Sequence, residues 1–154
     1  MTILKKELTR HLKELSDDAL VNLIPFDQTV RSWGNSLLPL GGGGRDKAIA
    51  FALGLTGGRG TNVFDALETA LQDRRVEAIY LLAGGPPTAG RITETEDILR
   101  AVVELNRIRG VTIHCIAFSD ESKFLKQLAE ENGGTYRATR PEQEGWNVPR
   151  KEPR

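Results

Sequence analysis

A thiol beside an imidazole, Cys115 and His114, and a carboxylate pair, Asp17 and Asp18, are the neighbours in this chain that could carry covalent or acid–base chemistry. Their spacing argues against it. Val111 to Phe118 has the apolar content of a buried strand, whose successive residues point to opposite faces, so His114 and Cys115 cannot act as base and nucleophile on each other. His114 is therefore expected to be a satisfied histidine of the core or sheet end, and His11, on the polar or boundary side of the first helix, to face solvent. Asp17-Asp18 falls between a helix and a strand, where a solvated turn is the usual role. Gly41 to Lys47 and Gly54 to Thr61 are glycine-rich, yet neither ends in the Gly-Lys-Ser/Thr that holds phosphate, and both read as flexible connections. One cysteine forms no intrachain disulfide, and beside only 2 histidines it builds no zinc site. A reducing compartment fits this.

The elements that must position any site follow from periodicity. Ile3, Leu4, Leu8, Leu12 and Leu15 recur at helical spacing, so an amphipathic helix begins almost at residue 1. Ala19 to Phe26 reads as a strand, and Thr29 to Trp33 as a short antiparallel return ended by Gly41 to Gly44. Asp46 to Leu55 reads as a helix. Thr61 or Asn62 can cap the next helix, which runs to about Gln72 with Val63, Phe64, Leu67 and Leu71 inward. Val76 to Leu82 is nearly continuously apolar, as a parallel strand buried on both faces should be. Thr93 and Glu96 have capping-box spacing before a helix to about Arg107. The strand Val111 to Phe118, a helix capped by Ser119 or Asp120, and the strand Thr135 to Ala138 complete the fold. From Thr139 to Arg154 the chain is polar and proline-bearing, and is expected to be a frayed tail.

Strands alternating with helices predict a three-layer α/β/α, Rossmann-like, doubly wound and mainly parallel sheet with one short antiparallel edge strand. Ligands of such sheets bind beyond the carboxyl ends of the strands, which directs attention to Ala83-Gly-Gly-Pro-Pro-Thr88. That turn carries no acid, base or nucleophile. The 154 residues, 39% hydrophobic and 27% charged, suit one domain with a real core. With 21 basic against 21 acidic residues no net field favours nucleic acid or an anionic membrane. No run of about 18 apolar residues exists to span a bilayer. Met1 to Leu15 lacks a signal peptide's apolar block, so the cytoplasm is the default expectation.

Five stretches resemble the von Willebrand factor A domain, in that family's order: Asn22 to Val30, Gly57 to Leu67, Ile79 to Thr88, Val111 to Phe118 and Leu128 to Tyr136. The resemblance covers about residues 3 to 138. It implies a metal-ion-dependent adhesion site at the carboxyl edge, where Mg²⁺ or Mn²⁺ is offered to an acidic residue of a partner protein. Three loops build that site in the family. The first, Asp-x-Ser-x-Ser, follows the first strand, and this chain begins inside the helix after it, so the loop and the family's central first strand are both lacking. The second supplies a threonine, matched by Thr61. The third supplies an aspartate, where this chain has Gly84.

Magnesium requires near-octahedral oxygen ligation with carboxylate charge, which one hydroxyl does not provide, so neither metal nor cofactor is expected. What the resemblance implies instead is a non-catalytic protein–protein interaction or scaffold module that meets its partner through Thr61, Asn62, Pro86, Pro87 and Thr88. Two alternatives stand beside it: a Rossmann-like small-molecule or nucleotide-binding enzyme, and a non-functional fragment of a longer protein of this family. Without the central strand, its neighbours Ala19 to Phe26 and Val76 to Leu82 either pair directly or expose apolar edges that invite strand exchange or self-association. Direct pairing is the expected outcome in a compact fold, together with marginal stability.

Overall fold

The computed structural model describes residues 2–118 and 120–139. Helix α1 (Thr2–Glu14) buries Leu12 in a small core with Leu23, Leu40, Ala48 and Ala52. Its C-terminal carbonyls are partly negative and draw a cation. Arg45 donates to the carbonyls of Leu12 and Leu15, and its guanidinium lies 2.8 Å from the Asp17 carboxylate. Asp17 is otherwise solvated, as a turn residue should be.

The first strand is shorter than its apolar pattern predicts. Only β1 (Leu20–Val21) pairs, antiparallel, with β2 (Leu38–Pro39). The Asn22 side chain interrupts the ladder: its Oδ1 accepts from the N–H groups of Leu23 and Gly34, and its Nδ2 donates to the Gly34 carbonyl. The expected antiparallel return beyond it survives as separate bonds, Trp33 N–H to Leu23 carbonyl at 2.8 Å and Arg31 N–H to Pro25 carbonyl at 2.9 Å, with a bridge between Phe26 and Val30.

Helix α2 (Gly44–Gly54) starts inside the glycine run that reads as a flexible connection. Gly43 is its N-cap at φ 88°, a left-handed conformation that glycine adopts without Cβ strain. Helix α3 (Val63–Leu71) is capped by Asn62, not Thr61, and leads to β3 (Ala78–Ala83). Helix α4 (Thr95–Asn106) has Glu94 at its N-cap with no side-chain bond, so the Thr93–Glu96 capping box does not form. Strand β4 (Thr112–Phe118) follows. Helix α5 (Lys123–Glu131) is capped by Ser122, whose Oγ accepts from Leu125 N–H, so the cap lies later than Ser119 or Asp120. Strand β5 (Tyr136–Thr139) takes in Thr139, and the rest of the expected tail lies outside the described residues.

Strands β3, β4 and β5 form a parallel sheet in that order, in register Tyr80 to His114 and Cys115 to Tyr136. Alternation puts Leu81, Ala83, Ile113, Cys115 and Ala117 on one face, where α3, α4 and α5 bury them with Val63, Leu67, Ile98, Val102, Leu125 and Leu128. The opposite face carries Tyr80, His114 and Ile116, and α1 reaches it through the His11 ring on Tyr80 and a Glu7–Arg137 ion pair. The architecture is the expected α/β class with its antiparallel pair set apart.

One expectation fails. The 19–26 segment and β3 do not pair; they belong to two separate sheets. The two parts are bridged at both ends instead. Asn62 N–H holds the Asp27 carbonyl at 2.9 Å, and Leu37 N–H donates to Asp73 at 2.9 Å, while the small core fastens Leu23 and Leu40 to α1 and α2. A cavity of 1540 Å³ lies between the two sheets, lined by Ile24 and Phe26 on one side and Tyr80 and Leu82 on the other.

Candidate functional site

At the carboxyl edge of β3 the chain leaves the sheet at Ala83 and turns through Gly84 to Thr88 toward the N-terminus of α3. The two loops singled out from sequence are joined here. Thr61 N–H donates to Thr88 Oγ1 at 2.9 Å, and the N–H groups of Thr88 and Ala89 donate to the Thr61 carbonyl at 3.0 and 3.4 Å. Gly84, Gly85, Pro86 and Thr88 are exposed and Thr61 is half-buried, whereas Pro87 and Asn62 are buried.

Asn62, 4% exposed, ties three segments together. Its Oδ1 accepts from Asp65 N–H at 3.3 Å, while its Nδ2 donates to Asp65 Oδ2 at 2.9 Å and to the Gln28 carbonyl at 3.3 Å. Such a cap satisfies a helix N–H that would otherwise lack a partner. Gly90 approaches so closely that a Cβ there would lie 2.0 Å from Asn62 Oδ1, and its φ of 101° disfavours a side chain independently. Arg91 completes the cluster, with Nε 2.9 Å from Asp65 Oδ1, a second ion pair to Glu68, and its guanidinium 5.2 Å from the Phe64 ring centroid. Burial works to raise the Asp65 carboxyl, but the bonds from Asn62 and Arg91 outweigh it and hold it below its ordinary value.

The Gly84 position is closed on one side by β4. A Cβ on Gly84 would come 3.0 Å from both Cδ2 and Cε2 of Phe118, tighter than ordinary van der Waals contact. The nearby Asp27 carboxylate is already engaged: Oδ1 accepts from Thr29 N–H at 2.8 Å and Thr29 Oγ1 at 3.0 Å, and Oδ2 lies 3.5 Å from Arg31. The backbone bond from Thr29 is the main influence lowering the Asp27 carboxyl. Among the described residues no group of three or more His, Cys, Asp or Glu side chains is gathered for a metal ion.

The sheet separates the residues with nucleophile or base character. Cys115 is 1% exposed on the helix-covered face, and burial pushes its thiol up to about 12, which leaves it protonated at neutral pH. His114 points the other way, stacks on Tyr80 at 4.8 Å, and its Nδ1 lies 2.9 Å from Thr135 Oγ1 and 3.1 Å from Thr135 N. His11 corrects the solvent-facing expectation: it is half-buried with its ring 5.1 Å from Tyr80, and Nε2 is shielded from water. Helix α1 lies against the sheet, which the helix periodicity alone does not reveal.

Arg91, Asp65 and Phe118 were not singled out by sequence. Asp65 had a readable signal, since Asn62 and Asp65 stand at N-cap and N3 spacing. Arg91 and Phe118 had none, because their partners lie 26 residues away for Asp65 and across the sheet edge for Gly84.

A parallel β3–β4–β5 sheet with helices α3, α4 and α5 on one face and α1 on the other is a Rossmann-like α/β fold. The family model for the von Willebrand factor type A domain matches residues 2–138, and the chain belongs to that family. It is 32% identical over 147 residues to human inter-alpha-trypsin inhibitor heavy chain H4, covering 86% of this chain and 16% of that protein. It is 26% identical over 141 residues to human von Willebrand factor A domain-containing protein 3B, covering 88% of this chain and 10% of that one. The chain thus spans a sixth or less of the length of these relatives. Among solved structures, a von Willebrand factor type A protein from Catenulispora acidiphila superposes with a TM-score of 0.75 at 21% identity, over 88% of this chain and 33% of that one. Proximal thread matrix protein 1 from the mussel byssus superposes at 0.68 and 15% identity, over 89% of this chain and 35% of that one. No helix among the described residues is long and apolar enough to cross a membrane.

Proposed function

We propose that this domain is a non-catalytic protein-interaction module whose own residues do not hold Mg²⁺, and that it meets its partner through the exposed part of the joined loops, Thr61, Pro86 and Thr88. Asn62 and Pro87 serve the same surface from beneath, because both are buried and fix the loops' course. The observation that carries the metal-free reading is Gly84. It stands where the family pattern has a carboxylate, and a Cβ there would make a tight 3.0 Å contact with the Phe118 ring.

The remaining donors fit a hard divalent cation poorly. Thr61 offers one neutral hydroxyl, Thr88 Oγ1 already accepts from Thr61 N–H, and the carboxylates of Asp27 and Asp65 are bonded to Thr29, Arg31, Asn62 and Arg91. Dehydrating Mg²⁺ demands several oxygen ligands with negative charge, so this set supplies too little. Titration calorimetry of the full chain with MgCl₂ is expected to give only heats of dilution. Saturable micromolar binding that disappears in Thr61→Ala would overturn the metal-free reading.

A further inference from the structure

Helix α5 ends in a chemically labile sequence that the fold itself requires. Gly133 takes φ 70°, a left-handed conformation that strains any side chain, and Gly134 N–H closes the helix end on the Ala129 carbonyl at 2.8 Å. The residue before them is Asn132, 8% exposed. An asparagine amide followed by glycine is the pairing most open to attack by the next main-chain nitrogen, because no Cβ hinders the approach.

The folded chain holds the reacting atoms apart. Asn132 has ψ 25°, so the Gly133 nitrogen nearly eclipses the Asn132 nitrogen and points away from Cβ. The side chain is fixed as well: Nδ2 donates to the Leu128 carbonyl at 2.9 Å, and Oδ1 accepts from Asn106 Nδ2 at 3.0 Å. Asn106 is buried and bonds both the N–H and the carbonyl of Val111, while Ile113 N–H donates to the Asn132 carbonyl at 3.2 Å. Asn132 thus joins the ends of α4 and α5 to the start of β4. The side-chain bonds and the turn must open together before Cγ can meet the Gly133 nitrogen.

We propose that Asn132 is a site of spontaneous deamidation gated by opening of the α5 C-terminus, and that its products weaken the link between α4, α5 and β4. In the opened state hydroxide removes the Gly133 amide proton and the nitrogen bonds to Asn132 Cγ. The Cγ–Nδ2 bond breaks, and ammonia leaves with a proton returned by water. A second water adds to a carbonyl of the five-membered imide and opens it to aspartate or isoaspartate; nothing is oxidised or reduced. Aspartate sets a charged acceptor against the Leu128 carbonyl at a helix C-terminus, where the helix dipole disfavours it. Isoaspartate lengthens the main chain by one methylene and puts the bonds of Ile113 and Gly134 out of register. Local opening is thereby recorded irreversibly.

The test is peptide mapping by mass spectrometry of the full chain after incubation at pH 8, in buffer and in enough guanidinium chloride to unfold it, with the aspartate and isoaspartate products separated. Asn132 is expected to lose ammonia at least tenfold faster in the unfolded chain. Asn35, exposed and followed by Ser36, serves as comparator in the same samples and is expected to change far less. Equal rates at Asn132 in the two states, a rise no larger than that at Asn35, or no product at Asn132 in the unfolded chain would overturn the gated site. The consequence is read from Asn132→Asp, whose denaturation midpoint is expected to lie below that of the unchanged protein; an equal midpoint would overturn that part. Neither readout depends on what the carboxyl-edge loops bind.

Discussion

Thr61 and Thr88 hold each other reciprocally: the Thr61 N–H donates to the Thr88 hydroxyl at 2.9 Å, and the Thr88 N–H donates back to the Thr61 carbonyl at 3.0 Å. The pair joins the approach to α3 to the turn after β3, so the two loops of the proposed contact surface move as one. Replacing Thr88 by Val removes the acceptor and retains the shape. Equilibrium urea unfolding is expected to show a loss of about 1 kcal/mol for Thr88→Val, the usual net worth of one hydrogen bond, and far less for Thr88→Ser.

Asn62 has the larger structural role, since it caps α3 and also binds the Gln28 carbonyl and Asp65. Asn62→Ala is expected to cost roughly 2 kcal/mol, the upper part of the range for a lost cap, because buried groups on both sides lose a partner. Asn62→Asp keeps the acceptor for Asp65 N–H but sets a second carboxylate beside Asp65. It should therefore also be destabilised, and more so at pH 7 than at pH 3, as read from denaturation midpoints.

The contact between Gly84 and Phe118 gives a coupling that can be measured. Gly84→Asp places a Cβ about 3 Å from the ring, so it is expected to destabilise by overpacking, on the order of 1 to 3 kcal/mol. In a Phe118→Ala background the same change should cost less. A double-mutant cycle with an interaction energy near zero would show that the ring does not restrict this position.

The sheet face under α1 predicts a pH dependence in two windows. Burial lowers the pKa of His11 below its ordinary 6.5, and the Arg10 and Arg137 charges add to this against the opposing Glu7 and Glu14. The folded state then binds fewer protons than the unfolded chain, so this contribution is intact above 6.5 and is lost as pH falls through 6.5 toward the lower folded value. Glu7 behaves separately. Burial raises its pKa, but bonds from Arg10 and Arg137 prevail and bring it below 4.5, so its contribution persists above 4.5 and is lost as pH falls through the folded value. Urea midpoints measured from pH 8 to pH 3 should fall in both windows, and His11→Gln should flatten the upper one alone.

Much of the fold was legible because local patterns and tertiary packing agree. The alternating apolar strands, the 3.6-residue stripes of α1, α3 and α5, and the opposed faces of His114 and Cys115 follow from periods that do not depend on distant residues. Boundaries failed where a side chain took over a main-chain bond: Asn22 ends β1 by bonding Gly34, and Ser122, later than Ser119 or Asp120, caps α5. His11 was misread because the exposure of a helix boundary residue depends on what the helix packs against.

The sequence by itself determined the alternating α/β class, the family resemblance, and the Thr61 and Gly84 positions of the carboxyl edge, since each depends on residue identity and order along the chain. Tertiary structure alone decided the reciprocal Thr61–Thr88 bonds, the Phe118 ring behind Gly84, and the separation of the 19–26 segment from β3. These are relations between distant parts of the chain. Bonds at Asn62–Asp27 and Asp73–Leu37 bridge the two parts at the ends of that separation. Apolar pattern says that a strand should be buried; which partner lies beside it is fixed by where the rest of the chain holds its ends.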